Sequence, residues 1–170
     1  MSRSLVFYGN DTLAGVAEPV ENIDGSIASL IDEMFKIMYK EKGIGLAAPQ
    51  VDLGKRIFVV DTGENRSQKF ALINPVIKER SSKLEPYEEG CLSVPGINAD
   101  VIRPESILIS GYNRDGKEVE IEANGLLARV FQHEYDHLDG ILFIDRIEKY
   151  IRDELRTELK KIKKLNKKQA

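Results

Sequence analysis

The chain has 170 residues, 42% of them hydrophobic and 31% charged, with a formal net charge of −3. That is length enough for one domain with a real core, and the charge excludes a general nucleic-acid binder. A single cysteine, Cys91, excludes a disulfide framework and fits a reducing compartment.

The start, MSRSLVFYGND, has only the short apolar run LVFY, too brief for the core of a signal peptide. No apolar stretch approaches the roughly 18 residues that a spanning helix needs. The expectation is a soluble, cytoplasmic protein with no membrane and no specific DNA among its partners. Charge is unevenly spread. Residues 159–170, LKKIKKLNKKQA, hold six lysines and no acid, so the rest carries 19 basic against 28 acidic residues. The body is acidic and the tail basic.

In chain order, residues 26–41 place Ile27, Leu30, Ile31, Met34, Phe35 and Met38 at spacings of three and four, an amphipathic helix. Asp24 or Ser26 caps it and Gly43 ends it. RIFVVD (56–61) and KFALINPVI (69–77) are short β-branched runs that predict strands. ESILISGYN, then Asp115-Gly116, then KEVEIEA predicts a hairpin whose second strand buries Val119, Ile121 and Ala123. A third helix runs from Asn124 or Gly125 to Leu138, stopped by Asp139-Gly140, with Leu126, Val130, His133 and His137 on one face. A last helix starts at Asp145, with Glu148 completing a capping box. Its stripe is Ile147, Ile151, Leu155, Leu159 and Ile162. A helix, several strands and two more helices make an α+β class.

The chain's only two histidines fall in QHEYDHLDG, at 133 and 137, around Glu134. Residues at i and i+4 on a helix are one turn apart and can bind one ion. Glu134 sits beside the pair, placed to reach a water on that ion rather than to ligate it. A catalytic site of this kind takes three protein ligands, and a thiolate suits the third place. Cys91, between Gly90 and Pro95-Gly96 in EEGCLSVPG, lies in a shaped loop with Glu89 and Ser93 near to hydrogen-bond. GIGLAAPQ, 43–50, reads as a helix stop and a loop. Its Gly43 and Gly45 let backbone approach a ligand, and Gln50 offers an amide for a developing oxyanion.

GIGLAAPQ, EGCLSVPG and QHEYDHLDG, in this order, resemble the three motifs of bacterial peptide deformylases. The likeness extends through RIFVVD, INP at 73–75, GLLAR at 125–129 and GILFID at 140–145, and covers most of residues 5–145. It departs at Gly9, where a proline is usual, and at Asp52, where glycine is commonest. The helical C-terminal extension is similar to that of Gram-negative members.

The resemblance implies antiparallel β-sheets wrapped around a central helix that carries the histidines, with an N-terminal and a C-terminal helix, in one domain over 1–170. It implies hydrolysis of the N-formyl group from the formylmethionine of newly made proteins, releasing formate. Cys91, His133 and His137 would bind the metal, most naturally Fe2+, with Zn2+, Ni2+ or Co2+ also accepted. Glu134 would be the acid–base catalyst, and Gln50 and the Leu92 backbone N–H would stabilise the oxyanion. Gly43, Ile44, Gly45, Leu46, Glu89, Gly90, Leu126 and Val130 would bind substrate. Arg129, facing away from the histidine stripe, is expected to pack or pair structurally. The basic tail is a candidate ribosome contact.

Two rivals fit less well. A zincin-like protease takes its third ligand after the helix, and no histidine follows His137. A structural Cys/His module needs a fourth protein ligand, and there is no second cysteine or third histidine.

Overall fold

The structure, a computed structural model, describes residues 3–63 and 69–169; the ends of the chain and of the basic tail, Met1, Ser2 and Ala170, lie outside them. A short helix α1 (Asp11–Ala14) is capped by Asn10, whose side chain accepts the Leu13 N–H. Helix α2 (Gly25–Lys40) is capped by Asp24, which accepts from the N–H groups of Ser26 and Ile27. It stops before Gly43, because Lys42 turns to φ 60°. The strands are β1 (Gly45–Ala47), β2 (Ile57–Val60), β3 (Phe70–Arg80), β4 (Leu84–Cys91), β5 (Val94–Pro104), β6 (Ser106–Tyr112) and β7 (Glu118–Asn124). Helix α3 (Gly125–Leu138) follows directly, then α4 (Lys149–Glu154) and α5 (Arg156–Lys163).

Five strands form one antiparallel sheet in the order β1-β2-β3-β6-β7, and β4 and β5 form a separate two-stranded sheet. Strand β2, IFVV, is buried along its whole length because both faces are covered. Ile57 and Val59 pack with Ile27, Ile31, Met34 and Met38 of α2, while Phe58 and Val60 pack with Ala128, Val130 and Phe131 of α3. A third cluster joins Val94, Ile97 and Val101 of β5 to Leu142, Phe143, Leu159 and Ile162. The α+β class with antiparallel sheets holding the histidine helix is therefore what the chain adopts.

Three sequence expectations change. GIGLAAPQ is not a plain loop: it supplies β1 and a 3-10 turn, Ala48–Val51, with proline at its start. EEGCLSVPG is the tip of the β4–β5 hairpin, in which Cys91 pairs with Val94 across Leu92-Ser93. The C-terminal helix does not begin at Asp145. That residue ends a 3-10 turn, Phe143–Asp145, and its carboxylate is spent on the Leu142 N–H at 2.9 Å, so it cannot cap a helix starting beside it. The helix starts at Lys149 and breaks at Leu155, whose ψ is 1°.

Candidate active site

Helix α3 enters the molecule between the two sheets and is buried from Ala128 to His133 and beyond. His133 and His137 lie one turn apart, ring centroids 5.1 Å from each other. The hairpin tip brings Cys91 to them, with its Sγ 3.4 Å from His137 Nε2. One ligand atom from each of Cys91, His133 and His137 lies within 4.8 Å of the others.

His133 is aimed from behind. Its Nδ1 is 2.9 Å from Glu89 Oε1, which leaves Nε2 to face Cys91 and His137. Glu89 is in turn held by Arg103 at 2.7 and 3.0 Å and by Arg129 at 2.8 Å. Arg103 also binds Asp136, which binds Arg146. Burial works against the Glu89 charge, but bonds from His133 and Arg103 outweigh it and hold the carboxyl at about 2. Glu89 is thus ionised and accepts the Nδ1 proton, which fixes the tautomer of the ring.

The other two titratable groups sit differently. Burial, which outweighs the field of His133, raises the Glu134 carboxyl to about 7. Burial and the neighbouring His133 push His137 well below its ordinary value, so it is neutral and ready to ligate. Burial disfavours charge on His133 too, yet bonds to Cys91 and Glu89 override it and raise that group. One thiol and two imidazoles, three donors rather than four, match a catalytic divalent transition metal.

Glu134 lies beside this cluster with Oε1 free of any protein hydrogen bond among the described residues. Its carboxylate rests on Gly45. A Cβ there would stand 2.5 Å from Glu134 Oε2 and 2.9 Å from Val130 Cγ1, so any larger residue must displace one of them. Gln50 is buried, with Oε1 accepting the Ala47 N–H at 2.9 Å. Its Nε2 therefore points at Cys91 Sγ, 3.5 Å, and Ser93 Oγ, 3.3 Å.

These groups open on a groove of about 730 Å³. Gly43, Ile44, Gly45, Glu89, Gly90, Leu126 and Val130, the residues expected to bind substrate, line it together with Leu92. Leu46 does not: its side chain is fully buried among the α2 residues, because alternation along β1 turns it away. The Glu89 carboxylate is likewise unsuited to hold substrate, since both oxygens are taken by His133 and two arginines. Arg129 pairs structurally, as expected, with Glu89 and the carbonyls of Val101 and Glu85. Sequence reading missed Arg103, Asp136 and Arg146. A signal for Arg103 was present: it shares the inward phase of β5 with Ile97 and Val101, a charge where a core residue is due.

Comparison with known proteins agrees with this geometry. The model of the polypeptide deformylase family matches residues 2–153. The peptide deformylase of Chromobacterium violaceum is 45% identical over 163 residues, spanning 96% of this chain and 97% of that protein. That of a Picosynechococcus strain is 48% identical over 149 residues, spanning 86% and 80%. The crystal structure of the Legionella pneumophila peptide deformylase superposes with a TM-score of 0.89 at 38% identity, covering 97% of each chain. The Ehrlichia chaffeensis enzyme in complex with actinonin gives 0.89 at 38%, covering 96% and 98%. With the family model spanning most of the chain, and relatives of this closeness along nearly all of it, the chain belongs to the polypeptide deformylase family, metal-dependent hydrolases that remove the formyl group from N-terminal formylmethionine.

Proposed function

We propose that Cys91, His133 and His137 hold one divalent ion, that Glu134 is the acid–base catalyst, and that Gln50 and the Leu92 N–H receive the oxyanion. The observation that carries this reading is the free, buried carboxylate of Glu134 beside three converging donors at the floor of a groove. When bound, such an ion supplies Lewis acidity, making water more acidic and a carbonyl more electrophilic.

The residues then divide the work. Strand β1 is the free edge of its sheet, so a substrate chain can lie along Gly43–Gly45 as a further extended strand. Ile44, Leu126 and Val130 offer an apolar wall to the methionine side chain. Glu134 takes a proton from water as its oxygen adds to the formyl carbon. Charge gathers on the formyl oxygen, toward the amide N–H of Gln50 and the backbone N–H of Leu92. As the C–N bond breaks, Glu134 returns the proton to the leaving amine, and formate and a free N-terminus result. A carboxyl near 7 suits both transfers at neutral pH.

The ion is Fe2+ in the cell on this reading, with Zn2+, Ni2+ or Co2+ accepted by the same donors. The chain acts as one domain in the cytoplasm; no helix among the described residues is long and apolar enough to cross a membrane. The lysine-rich tail contacts the ribosome, and unchanged ribosome affinity at low salt after deletion of residues 159–170 would rule that out.

The test is formate release from formyl-Met-Ala-Ser by anaerobically purified protein, against Glu134→Gln, with metal content measured in both. Loss of about 10²- to 10⁴-fold in kcat at equal metal content is expected. Equal turnover by the two proteins would remove Glu134 from the mechanism.

A further inference from the structure

The N-terminal segment 4–8 lies in the wall of the groove, where Ser4, Leu5 and Phe7 face it. It is a strap across the two loops that carry the chemistry. The Val6 N–H donates to the Gln50 carbonyl at 2.8 Å, and the Tyr8 N–H donates to the Ser93 carbonyl at 2.9 Å. Gln50 and Ser93 are the pair whose side chains meet at 3.3 Å beside Cys91.

In an extended segment, alternate backbone groups point to opposite sides. Val6 and Tyr8 serve the active-site side, so Phe7 turns its N–H and C=O outward. One side chain from the far end of the sequence meets both, sharing the carbonyl with the Asn10 N–H at 3.0 Å. Asn166 Oδ1 accepts the Phe7 N–H at 2.8 Å, and Asn166 Nδ2 donates to the carbonyls of Phe7 and Tyr8, each at 3.0 Å. One amide does what a neighbouring strand would do.

The contact is reinforced next door. Gly9 has φ 97°, and the Lys163 side chain lies where a Cβ on Gly9 would stand. Lys163 then carries its ammonium over the Tyr8 ring, 5.7 Å from the centroid. A basic tail that only trailed from the domain would have no reason for three backbone hydrogen bonds to the groove wall.

We propose that Asn166 is a positioning residue for the reaction. By holding both backbone groups of Phe7 it seats the strap and, through Val6 and Tyr8, sets the spacing of Gln50 from the Cys91–Ser93 turn. This rests on the oxyanion role given to Gln50 above. The bonds held by Asn166 lie behind that donor rather than in the methionine pocket, so the effect belongs in kcat more than in KM.

The test uses the full, metal-loaded chain. Asn166→Ala removes all three bonds; Asn166→Asp keeps the acceptor for Phe7 and loses both donors. Ile107→Val, a buried change on β6 outside the groove, controls for general loss of stability. The expected result is a fall in kcat of about three- to tenfold for Asn166→Ala at near-constant KM, an intermediate value for Asn166→Asp, and no fall for Ile107→Val. Amide hydrogen exchange at Val6 and Tyr8 should quicken in Asn166→Ala and not in Ile107→Val. Unchanged kcat, a loss confined to KM, or a fall matched by Ile107→Val would overturn the proposal. Unchanged exchange at Val6 and Tyr8 would overturn it too, whether or not the protein is active. Failure of the wild type to release formate is a separate result and would strike the function reading alone.

Discussion

The two sides of His133 obey opposite rules. Behind the ring, Glu89, Arg103, Arg129, Asp136 and Arg146 form a network in which every carboxylate oxygen of Glu89 and Asp136 has a partner. In front of it, Glu134 Oε1 is buried without a partner among the described residues. An unpaired buried oxygen costs about 1–3 kcal/mol, and more when charged. Among the described residues that cost falls on Glu134 and on His137 Nδ1, which is also buried without a partner, and is avoided behind His133. The rear network fixes geometry; the front group keeps its capacity to react.

Breaking the rear side should do the greatest harm. Glu89→Ala frees His133 Nδ1 and strands Arg103 and Arg129 beside a hole. Loss of one partner from a buried ion pair costs about 3–5 kcal/mol, and loss of a ligand's supporting carboxylate costs about 10- to 100-fold in metal affinity. Urea unfolding and competition with a chelator measure the two separately. Stability within 1 kcal/mol of wild type would mean that the network is decoration.

The two carboxylates also predict opposite limbs of one pH profile in ion-free protein. Glu89 falls from 4.5 to about 2 on folding. Between those values the unfolded chain binds a proton that the folded chain refuses, so stability is lost as pH falls through that window. Glu134 rises from 4.5 to about 7. There the folded chain keeps a proton that the unfolded chain has released, so stability is lost as pH rises from about 4.5 to 7. Each limb is worth ~3 kcal/mol at most. Urea midpoints against pH should lose the acid limb in Glu89→Gln and the neutral limb in Glu134→Gln. If either substitution leaves its own limb in place, the contrast between the two sides is wrong.

The front of the site was largely legible in the sequence, and the rear was not. Cys91, His133, Glu134 and His137 announce themselves by type and spacing, because ligation and proton transfer demand particular side chains. The α3 boundaries were readable too, since Asp139-Gly140 stops a helix wherever it stands, and Gly140 does take φ 74°. The rear network joins residues 89, 103, 129, 136 and 146, drawn from a hairpin, a helix and a turn. Ion pairs of this kind impose no spacing on the chain, so nothing local marks them. The break at Leu155 escaped for a similar reason: the apolar stripe continues through it and only the backbone angle changes. Glu89 was read only as a groove residue because its neighbour Cys91 is there; that His133 and two arginines take up its carboxylate is not marked in the sequence.

The smallest effect sharpens the comparison most finely, because it tests the front side without touching a polar atom. Gly45→Ala puts a methyl 2.5 Å from Glu134 Oε2, 2.9 Å from Val130 Cγ1 and 3.0 Å from Glu134 Cδ. Gly43→Ala puts one 2.7 Å from Leu92 Cδ1, the free end of a flexible side chain. The first must shift the carboxylate proposed to carry the proton; the second need only turn a leucine. About tenfold loss of kcat/KM, ~1.4 kcal/mol, is expected for Gly45→Ala and a smaller loss for Gly43→Ala, both at full metal content. Equal losses would mean that backbone crowding of the substrate strand, not the position of Glu134, is what the glycines protect. A loss of metal in Gly45→Ala would mean that front and rear are mechanically one piece, since the methyl touches no group of the ligand network.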